Sequence, residues 1–159
     1  MNASKFFLKA ANSLITAVVA LFLILAAAYS GYALWDNAQV YAAVDDVQSE
    51  LMKLKPDPEQ KDGGASFEEL RKINPDVCGW ITLDHTKIDY PILQGEDNLT
   101  YINTDVYGDF ALSGSIFLDS GCDNTFQGKY SLLYGHHMAN HKMFGDLDLY
   151  RKKKFFDKN

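Results

Sequence analysis

The stretch CGWITLDHTKIDYPIL, residues 78–93, decides how the chain is read. Trp80-Ile81-Thr82-Leu83 and Ile88-Asp89-Tyr90-Pro91-Ile92-Leu93 are short runs rich in β-branched and aromatic residues. They flank the polar Asp84-His85-Thr86, so the stretch predicts a β-hairpin. Pro91 offers no amide hydrogen to a ladder, and so suggests an edge strand or a bulge. Downstream, Ser115-Ile116-Phe117-Leu118 and Tyr130-Ser131-Leu132-Leu133-Tyr134 predict further strands, separated by a loop from Asp119 to Lys129. Met143, Phe144, Leu147 and Tyr150 then fall at helical spacing.

Upstream of the hairpin the texture is helical. Ser66-Phe67-Glu68-Glu69 resembles a capping box, opening a short helix that runs to Ile73. Before it, Gln60-Lys61-Asp62-Gly63-Gly64-Ala65 predicts a flexible break. Val40, Val44, Val47, Leu51 and Leu54 recur at three- and four-residue intervals. They predict a helix over Asn37 to Lys55, ended by Pro56 and Pro58, either a stalk or a helix packed on the domain.

Between Ala10 and Trp35 there is no charged residue. Leu14 to Leu34 has the roughly 20 apolar residues that cross a bilayer as a helix. Lys5 and Lys9 precede the run while Asp36, Asp45, Asp46 and Glu50 follow it. That asymmetry predicts a cytoplasmic N-terminus and an extracellular C-terminal side, with Tyr29, Tyr32 and Trp35 near the outer interface. The rival reading is a signal peptide cleaved at Ala26-Ala27-Ala28; either way the rest is exported. The expected organisation is a cytoplasmic segment 1–13, a transmembrane helix 14–35, a helical stalk and linker 36–65, and a domain over 66–159.

Composition excludes several classes. The chain has 159 residues, 47% hydrophobic and 13% aromatic, which excludes a wholly disordered polypeptide. With 15 Lys+Arg against 21 Asp+Glu, the net charge of −6 argues against a nucleic-acid binder. Two cysteines allow one bridge at most, too few for a disulfide-stapled scaffold.

The densest cluster of chemistry is Tyr134-Gly135-His136-His137-Met138-Ala139-Asn140-His141, where an apolar strand opens into a loop. Imidazole exchanges protons near neutral pH, so one function for the cluster is acid–base work beside a thiolate. A metal site is the other: His137 and His141, four apart, would share a helix face. Met138 stands where the zincin pattern needs Glu, however, and spacing supplies no third ligand, so no metal is expected. Cys78, at a strand entrance, suits a small buried residue, whereas Cys122 lies among acids that would raise its pKa. A histidine is therefore present without an evident nucleophile.

Four ordered blocks, Asn74-Pro75-Asp76-Val77-Cys78-Gly79-Trp80-Ile81, Ile88 to Gly95, Gly114-Ser115-Ile116-Phe117-Leu118-Asp119 and Leu133-Tyr134-Gly135-His136-His137-Met138, with Met143-Phe144-Gly145-Asp146-Leu147 fitting as well, together resemble the class B sortases. The resemblance spans about Phe67 to Asn159. It implies a mainly β fold with N-terminal helices: a partial sortase-like β-barrel preceded by a transmembrane helix. It also implies a cysteine transpeptidase of Gram-positive cell surfaces that cleaves an NPQTN-like sorting signal and joins surface proteins to peptidoglycan or its precursor. No cofactor is implied. His136 maps onto the family's acid–base histidine; Asn98, Ile102 and Tyr134 map onto its substrate groove. The family's nucleophilic cysteine and its arginine lie on later strands. The expectation is therefore an incomplete, inactive N-terminal part of such an enzyme, with a membrane-anchored, non-catalytic binding module on a half-barrel as the alternative.

Overall fold

A computed structural model describes residues 3–57 and 65–159; most of the expected break at 60–65 lies outside them, as does the Ser66 side chain. Helix α1 spans Ala3–Leu51 and a 3₁₀ turn, Met52–Leu54, follows it. The predicted helix from Asn37 is thus no separate element, because no helix-breaking residue interrupts the chain before Pro56. The chain divides into two compact units, Met1–Gln39 and Val40–Asn159. In the first, large apolar side chains such as Phe22, Ile24 and Tyr29 are exposed. This helix is long and apolar enough to cross a membrane, with a mean hydropathy of 2.3 over its best window.

In the second unit, Val44 and Leu51, two turns apart on one helix face, are buried. Helix α2 (Ala65–Ile73) contributes Leu70, which is fully buried. The predicted hairpin forms: β1 (Val77–Thr82) pairs antiparallel with β2 (Asp89–Leu93). Strand β3 (Ile116–Leu118) runs parallel to β2, and β4 (Leu133–Tyr134) antiparallel to β3, giving the sheet order β1-β2-β3-β4. A separate ribbon joins β5 (His137–Met138) to β6 (Lys142–Met143). Among the described residues the sheet is open, with β1 and β4 as its edges, rather than a closed barrel.

Side-chain alternation divides the core between the two faces of the sheet. Tyr90, Ile92, Ile116 and Leu118 pack with Val44 and Met143 on one side. Leu93 and Phe117 pack with Leu51, Leu70, Val77, Tyr101 and Val106 on the other. Sheet centre strands buried on both faces are expected to be apolar throughout, as Ile116-Phe117-Leu118 is.

Four expectations need correction. Pro91 lies on a central strand, not at an edge, although a bulge-type shift in the β1–β2 register, between Val77 and Gly79, falls one pair beyond it. Leu83 N–H donates to Ile88 O, and alternation from that bonded pair leaves Trp80–Pro91 a non-bonded pair. The pairing of β2 with β3 begins only at Ile92, so no ladder bond is asked of Pro91. Secondly, the strand expected over Tyr130–Tyr134 shrinks to Leu133–Tyr134, because β3 is three residues long and offers only Phe117 and Leu118 as partners.

Thirdly, the helical spacing after Met143 is realised as a 3₁₀ helix, Phe144–Arg151, with Met143 itself in β6. A Cβ at Gly145 would collide with the Met138 carbonyl, so ribbon and helix start meet at backbone contact. Finally, His137 and His141 do not share a helix face. Asn140 and His141 have φ of 57° and 65° and form the centre of a tight turn linking β5 to β6.

Candidate functional site

The site forms where β3 and β4 end. Phe117 and Tyr134 are cross-strand partners, which brings their rings to a centroid separation of 5.3 Å. Beyond Tyr134 the chain passes the core at Gly135, where a Cβ would run into Ile116 Cδ1 and lie 3.0 Å from the Phe144 ring. Only glycine fits there without displacing fully buried Ile116. The next residue, His136, is thereby held beside the Phe117–Tyr134 pair.

The opposite wall is the 3₁₀ turn Thr100–Ile102, which begins where Asp97 Oδ1 accepts from Leu99 N–H, Thr100 N–H and the Thr100 hydroxyl at 2.8–2.9 Å. Those bonds hold the Asp97 carboxyl below its usual pKa. Tyr101 fastens the turn to the core. Its hydroxyl donates to Asp76 Oδ2 at 2.7 Å and accepts from buried Asn74 Nδ2 at 3.1 Å. Burial, then the Asp76 carboxylate, push the Tyr101 phenol up to about 12.

Between the walls lies a pocket of about 350 Å³, lined by Asn98, Ile102, Phe117, Tyr134, Gly135 and His136. All four residues singled out in the sequence (Asn98, Ile102, Tyr134 and His136) are brought together here, with Phe117 and Gly135 added. His136 Nε2 lies 2.9 Å from Ile102 O. A carbonyl oxygen only accepts, so Nε2 donates in this contact and the turn opposite holds the ring, leaving Nδ1 as the nitrogen available for proton exchange.

Asp119, immediately after β3, was not foreseen. Its Oδ2 accepts from Asn98 Nδ2 at 2.8 Å and from the Tyr134 hydroxyl at 3.1 Å; Oδ1 accepts from Gly121 N–H at 2.9 Å. Gly121's amide first, then Asn98 and Tyr134, hold its carboxyl below the usual range; the same contact raises the Tyr134 phenol. The available signal was Asp119-Ser120-Gly121 directly after an apolar strand, which is an Asx-turn pattern.

The other candidates sit elsewhere. Cys78 lines a different cleft, of about 490 Å³, with Gly79, Trp80 and Phe126. Its thiol points at Ile92 O, 3.4 Å away, and burial pushes its pKa up to about 11, so it is protonated at neutral pH. Cys122 is half-buried against the core, its carbonyl accepting from Gln94 Nε2 at 2.8 Å. Neither cysteine lines the histidine pocket, and neither does Arg71 or Arg151. His137 pairs with Asp148 at 3.1 Å, and His141 with buried Asp146, which also accepts from Lys87 N–H at 2.6 Å. Among the described residues no three His, Cys, Asp or Glu side chains are grouped to hold a metal ion.

Comparison with known proteins follows this geometry. No protein-family model matches the chain. It is 41% identical over 93 residues to sortase B of Staphylococcus aureus, covering 58% of this chain and 38% of that protein. It is 36% identical over 129 residues to sortase B of Listeria monocytogenes, covering 79% and 51% respectively. Among solved structures, sortase B of Bacillus anthracis in complex with AAEK1 superposes with a TM-score of 0.71 at 35% identity, over 76% of this chain and 59% of that one. The chain thus spans about half the length, or less, of the curated relatives it matches.

Proposed function

We propose, from the assignment of this chain to the class B sortases by sequence and fold, that its histidine pocket is the acid–base and substrate-binding part of a sorting-signal transpeptidase site. In this reading Ile102 and Phe117 hold the apolar parts of an extended, NPQTN-like peptide. Asn98 and Tyr134 hydrogen-bond its amides, and His136 handles the proton at the reacting carbonyl. The observation that carries it is the convergence of Asn98 and Ile102 with Tyr134 and His136 on one pocket from two stretches more than 30 residues apart in the chain.

The chemistry of such a site is attack of a thiolate on a peptide carbonyl, followed by transfer of the acyl group to an amine of peptidoglycan or its precursor. A thiolate needs a lowered pKa and a position beside the histidine. Cys78 has neither, and Cys122 does not line the pocket. With neither cysteine placed to attack, the chain binds the signal without cleaving it. This is also what favours the second reading, a binding module on a sortase-like sheet.

The uncharged helix is proposed to anchor the chain in the cell membrane as a single pass. Lys5 and Lys9 stay in the cytoplasm, and the pocket faces the cell wall of a Gram-positive bacterium.

The test is anisotropy of a fluorescein-labelled NPQTN peptide titrated with the full chain in detergent micelles. Saturable binding, weakened by Ile102→Ala and absent with a scrambled peptide, is expected. Equal binding of both peptides would overturn the reading. Cleavage that disappears in Cys78→Ala or Cys122→Ala would overturn the non-cleaving assignment.

A further inference from the structure

The hydrogen bonds around Asp119 fix more than the positions of their partners. Asn98 is held at both ends of its amide: Nδ2 donates to Asp119 Oδ2 at 2.8 Å, and Oδ1 accepts from Ser120 N–H at 2.8 Å. An asparagine can otherwise present either end to a ligand. Here a bond at each end prevents the amide from flipping: Oδ1 is turned to Ser120 N–H, and the second Nδ2 hydrogen is the one left to offer. Tyr134 is polarised in the opposite sense. Its hydroxyl hydrogen is committed to the Asp119 carboxylate, leaving oxygen lone pairs for the pocket. One carboxylate therefore turns two ambivalent groups into a donor and an acceptor of fixed sense, in the same pocket.

We infer that Asp119 is a positioning residue that sets the hydrogen-bond polarity of the pocket, with Asn98 as donor and Tyr134 as acceptor, so that the site selects a ligand offering a C=O to Asn98 and an N–H from a separate amide to Tyr134. This rests on the peptide-binding reading above and adds to it the sense of each hydrogen bond to the bound peptide and the residue responsible. The charge state needed is the one the site itself favours: Asp119 is held ionised and Tyr134 protonated across the neutral range. Three donors converge on the carboxylate, and Gly121 N–H anchors it independently of the two it orients.

Asp119→Asn is nearly isosteric but replaces one acceptor oxygen by an NH₂ group. That group faces donors at Asn98, Tyr134 or Gly121, and the arrangement is lost. The full chain in detergent micelles, titrated with labelled NPQTN peptide, is expected to bind about tenfold more weakly as Asp119→Asn, the order of a charge-assisted hydrogen bond. Its melting temperature is expected to stay close to that of the unsubstituted chain.

A second pair of measurements isolates the polarity. Replacing one peptide amide at a time by an ester removes the ligand N–H. At one position this should weaken binding to the unsubstituted chain, and cause no further loss in Tyr134→Phe. Side-chain amide NMR signals of Asn98, resolved and slowly exchanging in the unsubstituted chain, should collapse toward free-amide behaviour in Asp119→Asn. Unchanged Asn98 signals in Asp119→Asn would overturn this inference, whatever the peptide does. Collapsed signals in a chain that never binds the peptide would uphold the orienting role of Asp119 and refute the peptide-binding reading instead.

Discussion

Gly135→Ala probes the site most sharply through packing. The added Cβ would lie 3.0 Å from Phe144 Cδ2 and Cε2 and closer still to Ile116 Cδ1. Carbon atoms pack at about 3.5–4.0 Å, so at least about 0.5 Å must open on the Phe144 side and more toward Ile116. Ile116 is 1% exposed on a strand flanked by β2 and β4, and it shares one core cluster with Ile88, Tyr90, Ile92 and Leu118. It has no free space to yield into, so the strain passes to the backbone between Tyr134 and His136, both pocket residues. Overpacking of this kind costs about 1–3 kcal/mol. For a domain of this size that is a fall of roughly 5–15 °C in melting temperature. Differential scanning fluorimetry of the full chain in detergent measures it, with peptide affinity read in parallel. Gly128→Ala is the control, because its Cβ meets only ordinary contacts at 3.5 and 3.6 Å. A Gly135→Ala variant that melts and binds like the unsubstituted chain would refute the close approach, and with it the explanation of how His136 is placed.

Other outcomes follow from single groups. Asp89 accepts from Trp80 Nε1 at 2.6 Å, Lys55 Nζ at 2.6 Å and Thr82 Oγ1 at 2.9 Å; although burial opposes ionisation, these bonds outweigh it and lower its pKa. Its stabilisation should be complete above the unfolded carboxyl value of about 3.9 and disappear as pH falls through the lower folded value. Asp89→Asn should cost about 1–3 kcal/mol at pH 7 and flatten the acid limb of a urea-melt series; an unaltered acid limb would contradict this. Cys78, with its pKa pushed up to about 11, should react with iodoacetamide at pH 8 roughly a hundredfold more slowly than an unhindered cysteine peptide, as mass spectrometry of the labelled peptide would show. Leu51→Ala should cost about 2–4 kcal/mol, because Leu51 is 3% exposed within the core cluster of Leu70, Leu93 and Phe117; the near-zero cost of a free stalk, measured by chemical denaturation, would argue against that packing.

The hairpin and the apolar helix were legible because each repeats a simple pattern, alternation in one case and an uncharged run in the other. Pattern was less informative where packing decides. Apolar residues three and four apart predict a helix after Met143, but cannot distinguish 3₁₀ from α geometry or foresee the backbone contact at Gly145. Pro91 suggested an edge because sequence does not reveal that pairing with β3 begins one residue later. Asn98, Ile102, Tyr134 and His136 were singled out by resemblance; no periodicity links residue 98 to residue 136. Phe117 was expected only as a strand residue, and Asp119 only as the start of a loop. Their roles arise from cross-strand pairing and from side-chain bonds between distant residues.

The central claim is that the pocket of Asn98, Ile102, Tyr134 and His136 receives the sorting signal. It is tested most directly by an NPQTN-like peptide carrying a photoreactive group, cross-linked to the full chain in detergent and mapped by mass spectrometry. The account predicts adducts on the 98–102 and 134–136 segments, competed away by unlabelled peptide and reduced in Asp119→Asn. Competable adducts concentrated instead along the Phe67, Cys78 and Phe126 cleft would contradict it.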